Sequence, residues 1–280
     1  MRKKLVLLDV DSTIFDRDYQ LTVPETDFKK AIQYGQERGL SIGLSSDSGL
    51  ATLSLIAKLY GLQGPIVAEK GGLVKILDSE IRVNDETEKF MRIRELMISG
   101  LASDSLTGSL LLIIGDVNRL SRSMLAIERA ECYSKSAILI NGLRNASLSF
   151  FVFANTGGKW VMDKMALDAV LSSVHKIGSR LAPKWWQEAV IDNNPDYGIC
   201  IVHHPKTEKR NALPLLRKHS ENARIYMVGD SISDLLNDPS VTHCAVKNAS
   251  NEFKKQCSMI ATKTMTQGVM EILDQIVASE

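Results

Sequence analysis

The first apolar run of the chain, Leu5-Val6-Leu7-Leu8, meets Asp9-Val10-Asp11 directly at its end. A short run that is apolar at every position reads as a parallel strand buried on both faces. A chain that opens this way must cover both sides of a sheet, a demand that α/β folds meet with helices. The next residues supply them. From Pro24 to Arg38 the residues Phe28, Ala31, Ile32 and Tyr34 recur at helical spacing, with Glu25 in the first turn and Gly39 beyond the last. Leu40 to Leu44 predicts a second strand, Gly49 to Tyr60 a helix stopped by Gly61, and Pro65 to Ala68 a third strand. Gly71-Gly72 predicts a turn and Leu73 to Leu77 a hairpin return. The alternation predicts an α/β fold with a doubly wound parallel sheet.

Beyond about residue 80 the character changes. Asn84 to Ser99 reads as a charged helix, Ser109 to Gly115 as a strand, Arg122 to Tyr133 as a helix and Ala146 to Ala154 as a strand. After a Gly157-Gly158 turn, apolar residues at i, i+3 and i+4 predict a helix from Lys164 to Ile177. The first kind of alternation returns at Lys209. Ala212 to His219 predicts a short helix and Arg224 to Val228 a strand ending in Gly229-Asp230. A helix near Ile232 to Leu236, a strand at His243 to Val246 and a last helix from about Gln267 to Ala278 follow. Residues 1–79 and 205–280 therefore read as one α/β core, with 80–204 as an α+β domain inserted into it.

With 280 residues and 44% hydrophobic content, the chain can bury roughly three quarters of its extended surface and needs no metal or disulfide to fold. A net charge of +1 gives no general attraction for nucleic acid or an anionic membrane. Cys132, Cys200, Cys244 and Cys257 are scattered without a CxxC, which argues against a zinc knuckle or a disulfide framework. The run after Arg2-Lys3-Lys4 meets Asp9 too early for a secretory signal, and no apolar stretch approaches the ~20 residues of a membrane span. A cytoplasmic protein is expected.

In open parallel sheets ligands bind beyond the carboxyl ends of the strands. That edge receives Asp9 and Asp11 from the first strand, Ser45 and Ser46 from the second, and Asp230 and Asp234 from the strand after Lys209. Four carboxylates gathered there would repel one another without a cation. All-oxygen, carboxylate-rich ligation suits a hard divalent ion such as Mg²⁺.

Asp9-x-Asp11-x-Thr13, Ser46, Lys209 and Gly229-Asp230-Ser231-x-x-Asp234 resemble, in order, the four motifs of the haloacid dehalogenase (HAD) superfamily. Gly61 to Gly72 and Val246-Lys247-Asn248-Ala249 resemble its Cof-type subgroup, whose large cap lies between the second and third motifs. The resemblance implies a Rossmann-like core with a cap domain and a Mg²⁺-dependent phosphatase of a small phosphorylated metabolite, such as a sugar phosphate. Asp9 would be the nucleophile that forms an aspartyl-phosphate, and Asp11 the acid that protonates the leaving oxygen and then the base that activates water. Ser46 and Lys209 would clamp the phosphate, with Ser45 the alternative hydroxyl, and Asp9, Asp11, Asp230 and Asp234 would form the metal site. Lys206 is the rival cation, but Lys209-Arg210-Asn211-Ala212-Leu213 carries the family's Lys-x-x-Ala-Leu pattern. The chain departs from the family at Ser12, Asp47 and Arg210, where Gly is frequent, and at Ser233, where Asn is usual. Asp47, if it faces the site, would repel an anionic substrate.

A phosphomutase and a catalytically silent sugar-phosphate binder remain as alternatives. A phospho-accepting receiver domain fits less well, since receivers are shorter and carry adjacent acids after the first strand. His203-His204 is a weak metal pair, because neighbours on a strand point to opposite faces. Trp185-Trp186 reads as cap packing in preference to a sugar platform. Neither GxGxxG after the first strand nor a P-loop is present.

Overall fold

The computed structural model describes residues 3–17, 19–83, 85–104, 111–115, 136–156, 159–194, 199–220 and 223–279. Along the chain run β1 (Lys4–Leu8), α1 (Glu25–Glu37), β2 (Leu40–Ser45), α2 (Leu50–Tyr60), β3 (Ile66–Ala68), β4 (Leu73–Ile76) and β5 (Ser79–Arg82). Then come α3 (Asp85–Ser103), β6 (Leu111–Gly115), β7 (Ser136–Asn141), β8 (Ser147–Thr156), β9 (Lys159–Met162), α4 (Lys164–Leu181), α5 (Pro183–Glu188), β10 (Val190–Asn194) and β11 (Ile199–His203). Last are α6 (Leu213–His219), β12 (Arg224–Gly229), β13 (Val241–Ala245), α7 (Asn251–Lys254), β14 (Met259–Ile260) and α8 (Met265–Ala278). The expected helix from Arg122 to Tyr133, the Gly157-Gly158 turn and Cys132 lie outside the described residues.

The chain divides into two compact units, 1–83 with 208–280 and 84–207. The first holds an eight-stranded sheet in the order β14-β13-β12-β1-β2-β3-β4-β5, parallel except for β4 and β5. β1 lies at its middle, between β12 and β2. Leu5 and Leu7 pack on one face with Val67, Leu216, Ile225 and Met227. Val6 and Leu8 are also fully buried, as a strand covered on both faces requires. A pair of crossovers on either side of β1 therefore carries three strand ends, those of β1, β2 and β12, to one edge of the sheet. The helix expected near Ile232 is only a 3-10 turn, Ile232–Asp234, because Asp234 bonds back to its own turn and Leu235 leaves it in an extended conformation.

The second unit carries the sheet β10-β11-β8-β7-β6, with β9 on β8. Phe90, Met97 and Leu101 of α3 and Leu167, Val170, Val174 and Ile177 of α4 pack with Phe150, Val152 and Val202 of this sheet. Trp185 and Trp186 are buried in the same core, so they pack this unit as expected. A Cβ at Gly178 would stand 2.2 Å from the Trp186 ring, so only glycine lets α5 fold against α4. His203 bonds Asp192 at 3.0 Å and His204 lies 3.3 Å from Glu188, ordinary pairings within the unit. Among the described residues no helix is long and apolar enough to cross a membrane.

One buried group in the first unit sets a pH limit on the fold. Leu236 N–H donates to Nε2 of His243, at 3.0 Å, in a site where His243 is 8% exposed. Burial holds the imidazole below its ordinary value of 6.5, against the opposing pull of Asp234 and Asp238. The folded state thus favours neutral histidine, so this contribution is complete above about pH 6.5 and is lost as pH falls toward the lower folded value. Protonation removes the acceptor and strands a buried amide, at a cost of about 1–3 kcal/mol. Thermal unfolding at pH 7.5 and pH 5.5 should therefore show an acid loss in the native protein that His243→Gln reduces, since the amide oxygen accepts without titrating. An equal acid loss in both proteins would contradict this.

Candidate active site

The site is built at the edge where β1, β2 and β12 end. Asp9 follows β1 and is 6% exposed. The carbonyl of Val10 accepts from the amides of Thr13, Ile14 and Phe15 at 3.4, 2.9 and 3.1 Å, so the chain reverses at once and leaves Asp11 exposed on the loop. Thr13 Oγ1 donates to Asp9 Oδ2 at 3.2 Å. Ser45 ends β2, and Ser46 follows; both are buried. Ser46 Oγ accepts from Ser48 N–H at 3.1 Å, which leaves its own proton free to donate. Ser45 Oγ has no partner among the described residues.

Gly229 ends β12, and Asp230 follows it. The 3-10 turn brings Asp234 back over this glycine, where Oδ2 accepts from the amides of Asp230 and Ser231 at 3.1 and 3.2 Å. A Cβ at Gly229 would fall 2.2 Å from that oxygen, so the glycine is needed for the carboxylate to sit there. Lys209 enters from the segment before α6. Its buried ammonium lies 2.9 Å from Asp9 Oδ1 and 2.6 Å from Asp234 Oδ1. Lys206, by contrast, belongs to the second unit, where it is 61% exposed and pairs with Glu86 at 3.7 Å.

Oxygens of Asp9, Asp230 and Asp234 lie within 4.8 Å of one another. Three carboxylates face one ammonium, and the local field records the imbalance. Burial, then Asp234, push the Asp9 carboxyl well above the usual carboxylate range, although Lys209 opposes them. Burial and Asp234 likewise push Asp230 up to about 7. Burial alone would discharge Lys209, yet Asp234 and Asp9 outweigh it and hold the ammonium firmly charged. Such a set is short of positive charge and all-oxygen, so its chemistry fits a hard divalent cation. Asp234 has both oxygens engaged, by Lys209 and by two amides, whereas Asp230 faces the group with fewer bonds. The carboxylate of Asp11 is not in the 4.8 Å group.

Of the residues expected at this edge, Asp9, Lys209, Asp230 and Asp234 meet directly, and Ser45 and Ser46 lie at the end of the neighbouring strand β2. Sequence reasoning missed the answer to Asp47. Lys70 Nζ lies 3.6 Å from Asp47 Oδ2, so that carboxylate does not stand as an uncompensated charge. Nothing in the local sequence signals the pair, because it depends on Glu69, Lys70 and Gly71 all adopting positive φ. Asn248, noticed only as part of Val246 to Ala249, donates to Ser12 O, between Asp11 and Thr13.

No protein-family model matches the chain. Phosphoglycolate phosphatase of Methanopyrus kandleri is 33% identical over 87 residues, which make up 30% of this chain and 35% of that protein. The chain therefore matches only about a third of the length of that curated relative. The crystal structure of a haloacid dehalogenase-like hydrolase from Bacteroides thetaiotaomicron aligns with a TM-score of 0.64 at 16% identity, covering 98% of this chain and 100% of that one. A HAD/COF-like hydrolase from Plasmodium vivax aligns with a TM-score of 0.61 at 18% identity, covering 99% and 96%. The chain thus has the α/β fold of the HAD-like hydrolases. The α+β unit, residues 84–207, falls in the chain between Ser46 and Lys209.

Proposed function

We propose that the protein is a Mg²⁺-dependent phosphatase of a small phosphorylated metabolite and works through an aspartyl-phosphate on Asp9. The observation that carries this reading is the buried Lys209 ammonium between Asp9 and Asp234, with Asp230 in the same group, at the carboxyl edge of a parallel sheet. Asp9 is the nucleophile, held by Thr13 and Lys209 with one oxygen each. Asp11, on the exposed loop, gives a proton to the leaving oxygen and later takes one from water. Lys209 and the free Ser46 hydroxyl offset the charge on the phosphoryl oxygens. Asp9, Asp230 and Asp234, whose oxygens lie together, would hold the cation with Asp11 beside them, and the cation when bound would neutralise phosphoryl charge.

The relatives named phosphoglycolate phosphatase make phosphoglycolate the first compound to try, with sugar phosphates beside it. Phosphate release from such a panel, with and without Mg²⁺, tests the reading. No release from any member in the presence of Mg²⁺ would sink it. Chelation should abolish activity and Mg²⁺ restore it, while Ca²⁺ should inhibit, because its larger and more flexible shell misplaces the phosphoryl oxygens. Full turnover in excess chelator would remove the metal from the reading.

Residues 84–207 are proposed as a cap that selects the substrate and excludes water. The chain leaves and re-enters the core at one place. Val83 N–H bonds Gly72 O at 3.1 Å, and Glu208 O lies so close to Gly71 that a Cβ there would be 2.4 Å from it. A short Gly/Ser bridge from Val83 to Glu208 therefore spans little distance. The shortened protein should lose its preference among metabolites yet still hydrolyse p-nitrophenyl phosphate. Unchanged metabolite selectivity would contradict the assignment.

A further inference from the structure

The loop that carries Asp11 folds back onto the carbonyl of Val10. Ser12 stands at φ +59°, a left-handed conformation that residues other than glycine seldom adopt. A second restraint comes from the far end of the chain. Asn248 Nδ2 donates to Ser12 O at 2.7 Å, and Asn248 Oδ1 accepts from Met265 N–H at 2.9 Å. The two bonds use different atoms of one amide, so exchanging its oxygen and nitrogen would lose both. Next to Met265, the buried Thr266 donates from Oγ1 to Ile14 O and accepts from Thr22 N–H at 3.0 Å. Side chains of the 248–266 segment thus grip the carbonyls on both sides of Thr13, which itself bonds Asp9.

We propose that Asn248 is a positioning residue that sets Asp11 for proton transfer without touching the substrate. This rests on the phosphatase reading above. In the step concerned, an Asp9 oxygen forms its bond to phosphorus and the bond from phosphorus to the ester oxygen breaks. The electron pair stays on that oxygen, and the proton of the Asp11 carboxyl moves to it. An alkyl ester would otherwise leave as a strongly basic alkoxide, so it needs the proton. p-Nitrophenolate is a weak base and leaves without one. Loss of Asn248 should therefore be felt according to the leaving group, which a merely structural residue would not produce.

The test compares the whole protein with Asn248→Ala, using a phosphorylated alkyl alcohol and p-nitrophenyl phosphate. The variant should lose kcat on the alkyl ester by roughly 30-fold, because a small misplacement of a catalytic group costs up to ~100-fold, and on the aryl ester by about threefold. Equal losses on both esters, or no loss on the alkyl ester, would overturn the proposal. Hydrogen exchange provides the second measurement, independent of activity. Residues 11–16 should exchange faster in the variant, while 4–8 and 225–229 stay as protected as in the native protein; unchanged exchange at 11–16 overturns the positioning role. A native protein that hydrolyses neither ester overturns the phosphatase reading, and the exchange result still decides whether Asn248 holds the loop. If the Ala variant does not fold, Asn248→Asp keeps the shape and the acceptor for Met265 but has no donor for Ser12, and the same measurements apply.

Discussion

Asp9→Asn should abolish phosphate release and leave the fold in place. The amide keeps the shape of the side chain and loses the nucleophilic oxygen. A fall in kcat of about a thousandfold or more is expected, which corresponds to roughly 4 kcal/mol of barrier. Stability should not fall with it. Asp9 is buried beside Asp234, and its charge is disfavoured there before any cation binds, while Lys209 keeps Asp234 as a partner at 2.6 Å. Thermal unfolding in chelator should thus place the variant at or above the native protein. More than about one part in a thousand of native kcat, measured on freshly purified variant, would count against the covalent role.

Lys209→Ala and Lys206→Ala should differ sharply. Lys209 is the buried ammonium between two buried carboxylates, so removing it leaves both without their counter-charge. Breaking a buried pair in this way costs about 3–5 kcal/mol, less whatever the carboxyls recover by taking up protons. It also removes a charge aimed at the phosphoryl group, commonly worth ~3 kcal/mol in a dry site, so kcat/KM should fall roughly 100-fold or more. Lys206 is largely solvated and 3.7 Å from Glu86, and its loss should change kcat/KM by less than about threefold. Steady-state kinetics and thermal unfolding of the two variants decide between them. Reversed effects would mean that the basic residue of the site has been misassigned by three positions in the chain.

The buried strand, the two flanking stretches of α/β alternation and the acids at their ends were legible along the chain because each is a local signal. Leu5 to Leu8 needs both faces covered whatever surrounds it, and an acid directly after such a strand can only emerge at the sheet edge. Two of the elements that escaped sequence reasoning lack such signals. β5 is the exposed segment Ser-Glu-Ile-Arg, a strand only because β4 offers it an edge, and β10 is the polar Val-Ile-Asp-Asn-Asn, ordered by pairing with β11. The expected helix at Ile232 shrank to a single turn for the opposite reason, since Asp234 spends its carboxylate on two amides and a lysine instead of letting the helix run on.

The amino-acid sequence by itself placed Asp9, Asp11, Ser45, Ser46, Asp230 and Asp234 after buried strands, while Lys209 and the preference for Ser46 came from the resemblance to the HAD motifs. Tertiary structure alone decided how the charges are shared. Lys209 sits 200 positions from Asp9, and Asn248 236 from Ser12, so no periodicity or spacing could show that one bridges two carboxylates and the other holds the loop of Asp11. The physical reason is that burial and hydrogen bonding across the sheet edge depend on which strands lie side by side, and that order, β12-β1-β2, is a property of the folded sheet and not of any segment within it.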